Sequence, residues 1–141
     1  MKFFYLIVAV LLLLSCEVDE YFPDENALRD ENLIGTWKNV LRSPQDSNCI
    51  VFTKDGYYGS FDVSKGYNTE LYSLWHNITL PTDSSEGLFY TTATSGPKKT
   101  SKRGEYQEYY RFSKHNDTLF ILNQNTVRSP SIYLRSTYQL V

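Results

Sequence analysis

The amino-acid sequence predicts an all-β fold: an eight-stranded antiparallel up-and-down β-barrel, entered by a short N-terminal tether with a short helix. Three observations lead there. Aromatic residues make up 16% of the chain, with 12 Tyr and 8 Phe. Such side chains suit a pleated, half-buried surface, whereas helices favour Leu, Ala, Glu and Lys. From Leu33 onward, apolar and polar residues alternate in short runs separated by turn residues, the period of half-buried strands. The runs are joined by short loops without a helical pattern, so neighbours in sequence pair antiparallel. A two-sheet sandwich is the alternative. The barrel is favoured because closure removes both sheet edges and sequential hairpins build it directly.

The first element is an address. Lys2 supplies a positive charge, and Phe3 to Leu14 is an uninterrupted apolar run of 12 residues. A membrane-spanning helix needs about 20 apolar residues, so this run fits the apolar region of a signal peptide. It ends in Leu13-Leu14-Ser15-Cys16. That string resembles the lipobox of bacterial lipoproteins, with Leu14 where a smaller residue is commoner. The resemblance implies a signal peptide over residues 1–15 and an acylated Cys16 as the mature N-terminus, anchored to the outer membrane, on its periplasmic face or the cell surface. The acidic run Glu17-Val18-Asp19-Glu20 also resembles the export signals of some surface lipoproteins of Gram-negative gut bacteria; a solvated acidic tether is the plain alternative.

Removing the signal leaves 126 residues, enough for one small hydrophobic core. Residues 16–32 read as the lipidated cysteine and its tether, and residues 33–141 as the barrel. Glu17 to Glu31 carries seven acids against Arg29 alone, whereas the chain from Asn32 onward carries 12 Lys and Arg against nine acids. Neither block resembles the clustered positive face that nucleic acids require. Within the tether, Asp24 can cap a short helix over Asp24 to Asn32, with Glu25, Ala27 and Leu28 in its first turns.

The strands follow in order. The first is Gly35 to Leu41 and the second Cys49 to Thr53. Lys54-Asp55-Gly56 makes a tight hairpin, because Asp-Gly supplies the positive φ such turns need. The third strand is Tyr57 to Val63, with Tyr57 and Phe61 on one face. The fourth is Glu70 to Leu80, where Tyr72, Leu74, His76, Ile78 and Leu80 share a face. The fifth is Leu88 to Thr94, followed by a basic loop holding Lys98, Lys99, Lys102 and Arg103 that reads as a solvated hairpin tip. The sixth is Glu105 to Phe112, with Tyr106, Glu108, Tyr110 and Phe112 on one face. The turn Lys114-His115-Asn116-Asp117 leads to the seventh, Thr118 to Leu122, and the eighth is Ile132 to Val141.

Three stretches sharpen the picture. Leu33-Ile34-Gly35-Thr36-Trp37-Lys38 resembles the Gly-x-Trp opening of lipocalin-like domains. Val51 to Tyr58 resembles their second hairpin, and Asp117 to Leu122 with Ile132 to Arg135 resembles their closing strands. The resemblance implies that Gly35, Trp37 and Arg135 close one end of the barrel, with Arg135 packed over the Trp37 ring by cation–π contact and hydrogen bonds.

Enzyme signatures are scarce. The chain has two His and no nucleophile elbow, phosphate-binding Gly loop or His-x-x-x-His pair, so neither a catalytic centre nor a metal or other cofactor is expected. With Cys16 claimed by lipid, a disulfide-stapled scaffold and a cysteine-based zinc site are excluded, and Cys49 is expected to be a buried strand residue. The chemistry left is binding. Tyr57, Phe61, Tyr72, Leu74, Tyr106 and Tyr110, with His76 and Glu108 as polar contacts, would form an apolar wall with a few placed polar groups. The reading is a lipid-anchored binder of a small hydrophobic or aromatic molecule. The alternative is a non-catalytic interaction or inhibitor protein acting through barrel loops on an envelope or secreted partner.

Overall fold

In a computed structural model the described residues are 22–40, 48–62, 73–94, 102–122 and 130–136, with Asp62, Ala93, Thr94, Lys102 and Arg103 described by backbone alone. Residues 1–15, where a signal peptide is expected, Cys16, Tyr72, Lys98 and Lys99 lie outside them.

Eight strands form: β1 (Gly35–Asn39), β2 (Asn48–Phe52), β3 (Tyr57–Asp62), β4 (Ser73–Thr79), β5 (Gly87–Thr94), β6 (Lys102–Phe112), β7 (Thr118–Leu122) and β8 (Ser131–Ser136). Each bonds to the next in antiparallel register, and β8 returns to β1, giving a closed barrel in sequence order. The architecture is the up-and-down, lipocalin-like barrel that the alternating runs predict. The β2–β3 hairpin turns at Lys54-Asp55-Gly56, where Gly56 has φ +97°. Thr53 N–H donates to Tyr57 O at 2.9 Å, and the Thr53 hydroxyl accepts from Tyr57 N–H at 2.8 Å. Asn116 takes the left-handed conformation in the β6–β7 turn.

One set of side chains from β1 to β7 meets at the centre: Trp37, Ile50, Phe52, Trp75, Phe89, Tyr110, Leu119 and Ile121, with Leu33 from the segment before β1. Only the barrel interior lets side chains from six strands converge, so this set marks the inward face. Registers carry the assignment round the sheet, because opposed residues in an antiparallel ladder share a face. Trp37 opposes Ile50 and Arg135, Phe52 opposes Tyr58, and Asn77 opposes Phe89. Cys49, Val51 and Phe61 form a second buried cluster on the outward face. Cys49 is thus the buried strand residue expected of it.

Residues 22–34 depart from the expected short helix. Ala27 N–H donates to Asp24 O at 3.2 Å, Asn26 N–H to the Asp24 carboxylate at 2.9 Å, and Leu33 N–H to Asp30 O at 3.0 Å. These are two separate turns, and Asp24 caps the first of them instead of a helix. The reason lies between the turns. Leu28 O accepts from Asn77 N–H at 2.7 Å, and Asp30 N–H donates to Asn77 Oδ1 at 2.8 Å. A nine-residue helix is marginal in water, and these bonds to the barrel take the backbone groups that it would have needed. The segment is instead a strap laid across one end.

Candidate functional site

The barrel interior divides into two halves. The half under the strap is closed and filled. Trp37 stands at its centre, fully buried, with its indole N–H donating to Leu33 O at 2.8 Å. The Arg135 guanidinium lies 4.2 Å from the Trp37 ring centroid, and donates to Asn32 O at 2.7 Å and Ile34 O at 3.1 Å. This is the closure expected of Gly35, Trp37 and Arg135. Gly35 has φ +128°, and a Cβ there would stand 3.2 Å from the Arg135 guanidinium. Aromatic rings continue inward. Phe112 lies 5.8 Å from Trp37, Tyr110 5.6 Å from Phe112 and Phe89 5.7 Å from Tyr110, while Phe52 meets Phe89 and Trp75 edge to face.

A buried polar network crosses this packing. The Tyr110 hydroxyl donates to the Asp30 carboxylate at 2.7 Å and accepts from the Asn77 side-chain amide at 2.7 Å. Burial, then the hydrogen bond to Asp30, pushes the Tyr110 phenol well above its usual range. Tyr110 therefore faces inward, as expected, but as a structural tie between strap and barrel.

The opposite half is less tightly sealed, with Ser60 and Tyr106 exposed on its inward face. By register its inward residues include Tyr58, Ser60, Thr91, Tyr106, Glu108 and Tyr133. Glu108 opposes the core residue Phe89 and is half-buried, and desolvation raises its carboxyl above the ordinary carboxylate value. The Tyr58 phenol is pushed up by burial first, then by the Glu108 charge. Tyr58 packs on Phe52 at 5.0 Å, while Tyr106 lies back over Gly104 with 60% of its surface open. The site is therefore one carboxyl set among tyrosines above a packed aromatic floor. Among the described residues, no three His, Cys, Asp or Glu side chains gather as a metal site would need.

Four of the eight predicted lining residues face the other way. Tyr57 opposes Leu74, Phe61 opposes Cys49, and His76 opposes Tyr90, all on the outward face. The physical reason is parity. Trp75 and Asn77 are the inward pair of β4, and side chains one position along a strand point oppositely. His76 stacks on Tyr90 at 5.0 Å on the outside, where desolvation and then the nearby Arg29 charge lower its pKa. Tyr58, Trp75, Asn77 and Tyr133 are the inward residues that the sequence reading missed.

A separate open groove of about 830 Å³ lies outside the closed end, between the β4–β5 loop and the β6–β7 turn, with Glu86, Arg111 and Lys114 on its walls. Glu108 is not among its walls. No protein-family profile matches this chain, and no curated protein or solved structure is significantly similar to it.

Proposed function

We propose that the chain is a non-catalytic, lipid-anchored protein of the bacterial outer membrane that holds a small hydrophobic or aromatic ligand in the open half of its barrel. The observation that carries this reading is Glu108, an inward carboxyl with a raised pKa that shares its half of the interior with Tyr58, Tyr106 and Tyr133. A desolvated carboxyl without a task is a burden on stability, and ligand sites combine apolar walls with a few placed polar groups of this kind. The packed aromatic floor supports a small ligand over an extended one. The Cys16 motif and the apolar run before it support the lipid anchor.

The test is native mass spectrometry of the mature protein released from envelopes in mild detergent, repeated after denaturation. The expected result is an extra mass, lost on denaturation and diminished in Glu108→Gln. A bare protein mass, unchanged after incubation with envelope lipid and glycan extracts, would overturn the carrier reading. The groove at the closed end supports a second reading, in which the barrel acts through its loops on an envelope or secreted protein partner. Capture of one defined partner, lost when Arg111 and Lys114 are replaced by Ser, would favour it.

A further inference from the structure

The strap crosses the closed end under restraint at every stage. Pro23 sits over Gly56 in the β2–β3 turn, Leu28 O is bonded to Asn77 at the end of β4, and Asn32 Oδ1 accepts from the Asn116 side chain in the β6–β7 turn at 3.3 Å. Along this path four large apolar side chains point into solvent. Phe22 is 64% exposed, Leu28 46%, and Ile78 and Leu80 42% each. Leu28 and Ile78 flank the hydrogen bond between Leu28 O and Asn77 N–H, and Leu80 follows where β4 ends. Val40, Tyr106, Tyr109 and Leu134 are exposed elsewhere on the barrel, and single exposed apolar residues are ordinary; a contact surface is marked where the fold brings such residues together, as it does Leu28 and Ile78.

Chain length says what that contact is. Cys16 stands six residues before Phe22, and six residues span at most about 20 Å. β6, with 11 residues, is roughly 35 Å long, or under about 30 Å along the axis of a tilted barrel. An acyl anchor at Cys16 therefore holds the strap end of the barrel beside the bilayer and leaves the open mouth pointing away. Charge selects the lipid. Asp24, Glu25 and Glu31 are exposed on the strap, and the neighbouring turns and strand ends expose Asp55, Asp83, Glu86 and Asp117 against Lys54, Arg111 and Lys114, so this acidic surface would be repelled by anionic headgroups and accepted by zwitterionic ones.

We propose that the closed end is a membrane-docking face, on which Phe22, Leu28, Ile78 and Leu80 enter the interfacial layer of the zwitterionic bilayer that carries the Cys16 acyl chains. This rests on the lipid-anchor reading. Docking keeps the Glu108 half of the barrel open to the aqueous side.

The test uses the full acylated chain in vesicles of phosphatidylethanolamine and phosphatidylcholine. An environment-sensitive fluorophore is placed at Leu80→Cys in one protein and at Tyr106→Cys in another, labelled under native conditions in which Cys49 is buried. Brominated lipid is expected to quench the Leu80 label at least twofold and leave the Tyr106 label unchanged. Phe22→Ser should roughly halve the quenching at Leu80, and added phosphatidylglycerol should reduce it. Equal quenching at both labels, stronger quenching at Tyr106, or quenching that grows with phosphatidylglycerol would overturn the docking face. Intact mass separates the two ideas: a mature protein without acyl mass overturns the anchor and docking together, whereas an acylated protein with an unquenched Leu80 label overturns docking alone.

Discussion

Replacing Tyr110 by Phe removes one oxygen from the most connected polar group in the closed half. That hydroxyl donates to the Asp30 carboxylate and accepts from the Asn77 amide, both at 2.7 Å. A hydrogen bond to a charged partner contributes about 1.5–3 kcal/mol, and a buried group left unsatisfied costs about 1–3 kcal/mol. The Asn77 amide keeps a weaker acceptor in Thr79 O at 3.3 Å, so most of the loss falls on Asp30. The expected cost is about 3 kcal/mol, a large fraction of the roughly 5–15 kcal/mol that holds a domain folded. That corresponds to a fall in melting temperature of roughly 10 °C. The assay is urea unfolding followed by the emission of Trp37 and Trp75, for the parent, Tyr110→Phe, Asp30→Asn and the double variant. The cycle should return a coupling of about 1.5–3 kcal/mol with an unchanged urea dependence. Hydrogen exchange should also accelerate at the Asn77 amide, whose acceptor is Leu28 O in the strap. A loss below about 1 kcal/mol, or strict additivity with Asp30→Asn, would refute the view that this network ties strap to barrel.

Other expectations follow from single contacts. Arg135→Ala forfeits two backbone hydrogen bonds and the cover of Trp37 and should cost about 2 kcal/mol by thermal melting; Arg135→Lys should restore less than half, because an ammonium lacks the planar fork. Gly56→Ala places a Cβ at φ +97° against Arg29 and Pro23 and should cost about 2 kcal/mol in the same melts. Glu108→Gln bears on pH. A carboxyl raised on folding makes the native state hold the extra proton, so the parent loses stability as pH climbs from the ordinary carboxylate value through the raised one. The variant should therefore melt higher than the parent at neutral pH and match it below about pH 4; equal melting at both values would place Glu108 in bulk-like solvent.

Much of the barrel is legible in local pattern. Asp55-Gly56 announces a turn and fixes the opposition of Phe52 and Tyr58. The Trp37–Arg135 contact is carried by the Gly-x-Trp stretch and an Arg at the matching place on the last strand. The facing of β3 and β4 is less legible. Tyr57-Tyr58 puts equal aromatic weight on both faces, and Leu74, His76 and Ile78 make a stripe that outvotes Trp75 and Asn77. The stripe is half-buried or exposed outside, whereas Asn77 is polar yet interior because the strap needs its amide. Pairing would have resolved it: an inward Trp37 requires an inward Ile50, and the Asp55-Gly56 turn then carries parity to Tyr58. The strap itself left no local signal. Its decisive partners lie 47 and 80 residues further along the chain, while Asp24, Ala27 and Leu28 carry the local preferences of a helix.

The pairing of β1 with β8 sets a timetable. Thr36 opposes Ser136, one hundred residues later, whereas every other strand pair is joined by a single connection. The ribbon from β2 to β7 can zip by neighbouring hairpins, each closing a short loop. The seam cannot close until the last strand exists, and such distant pairings put barrels among the slower folders, at milliseconds to seconds. Until then two raw edges stand open to any passing strand, and Trp37 waits without the arginine that covers it. A chain emerging from its N-terminus thus makes its keystone first and the hand that sets it last.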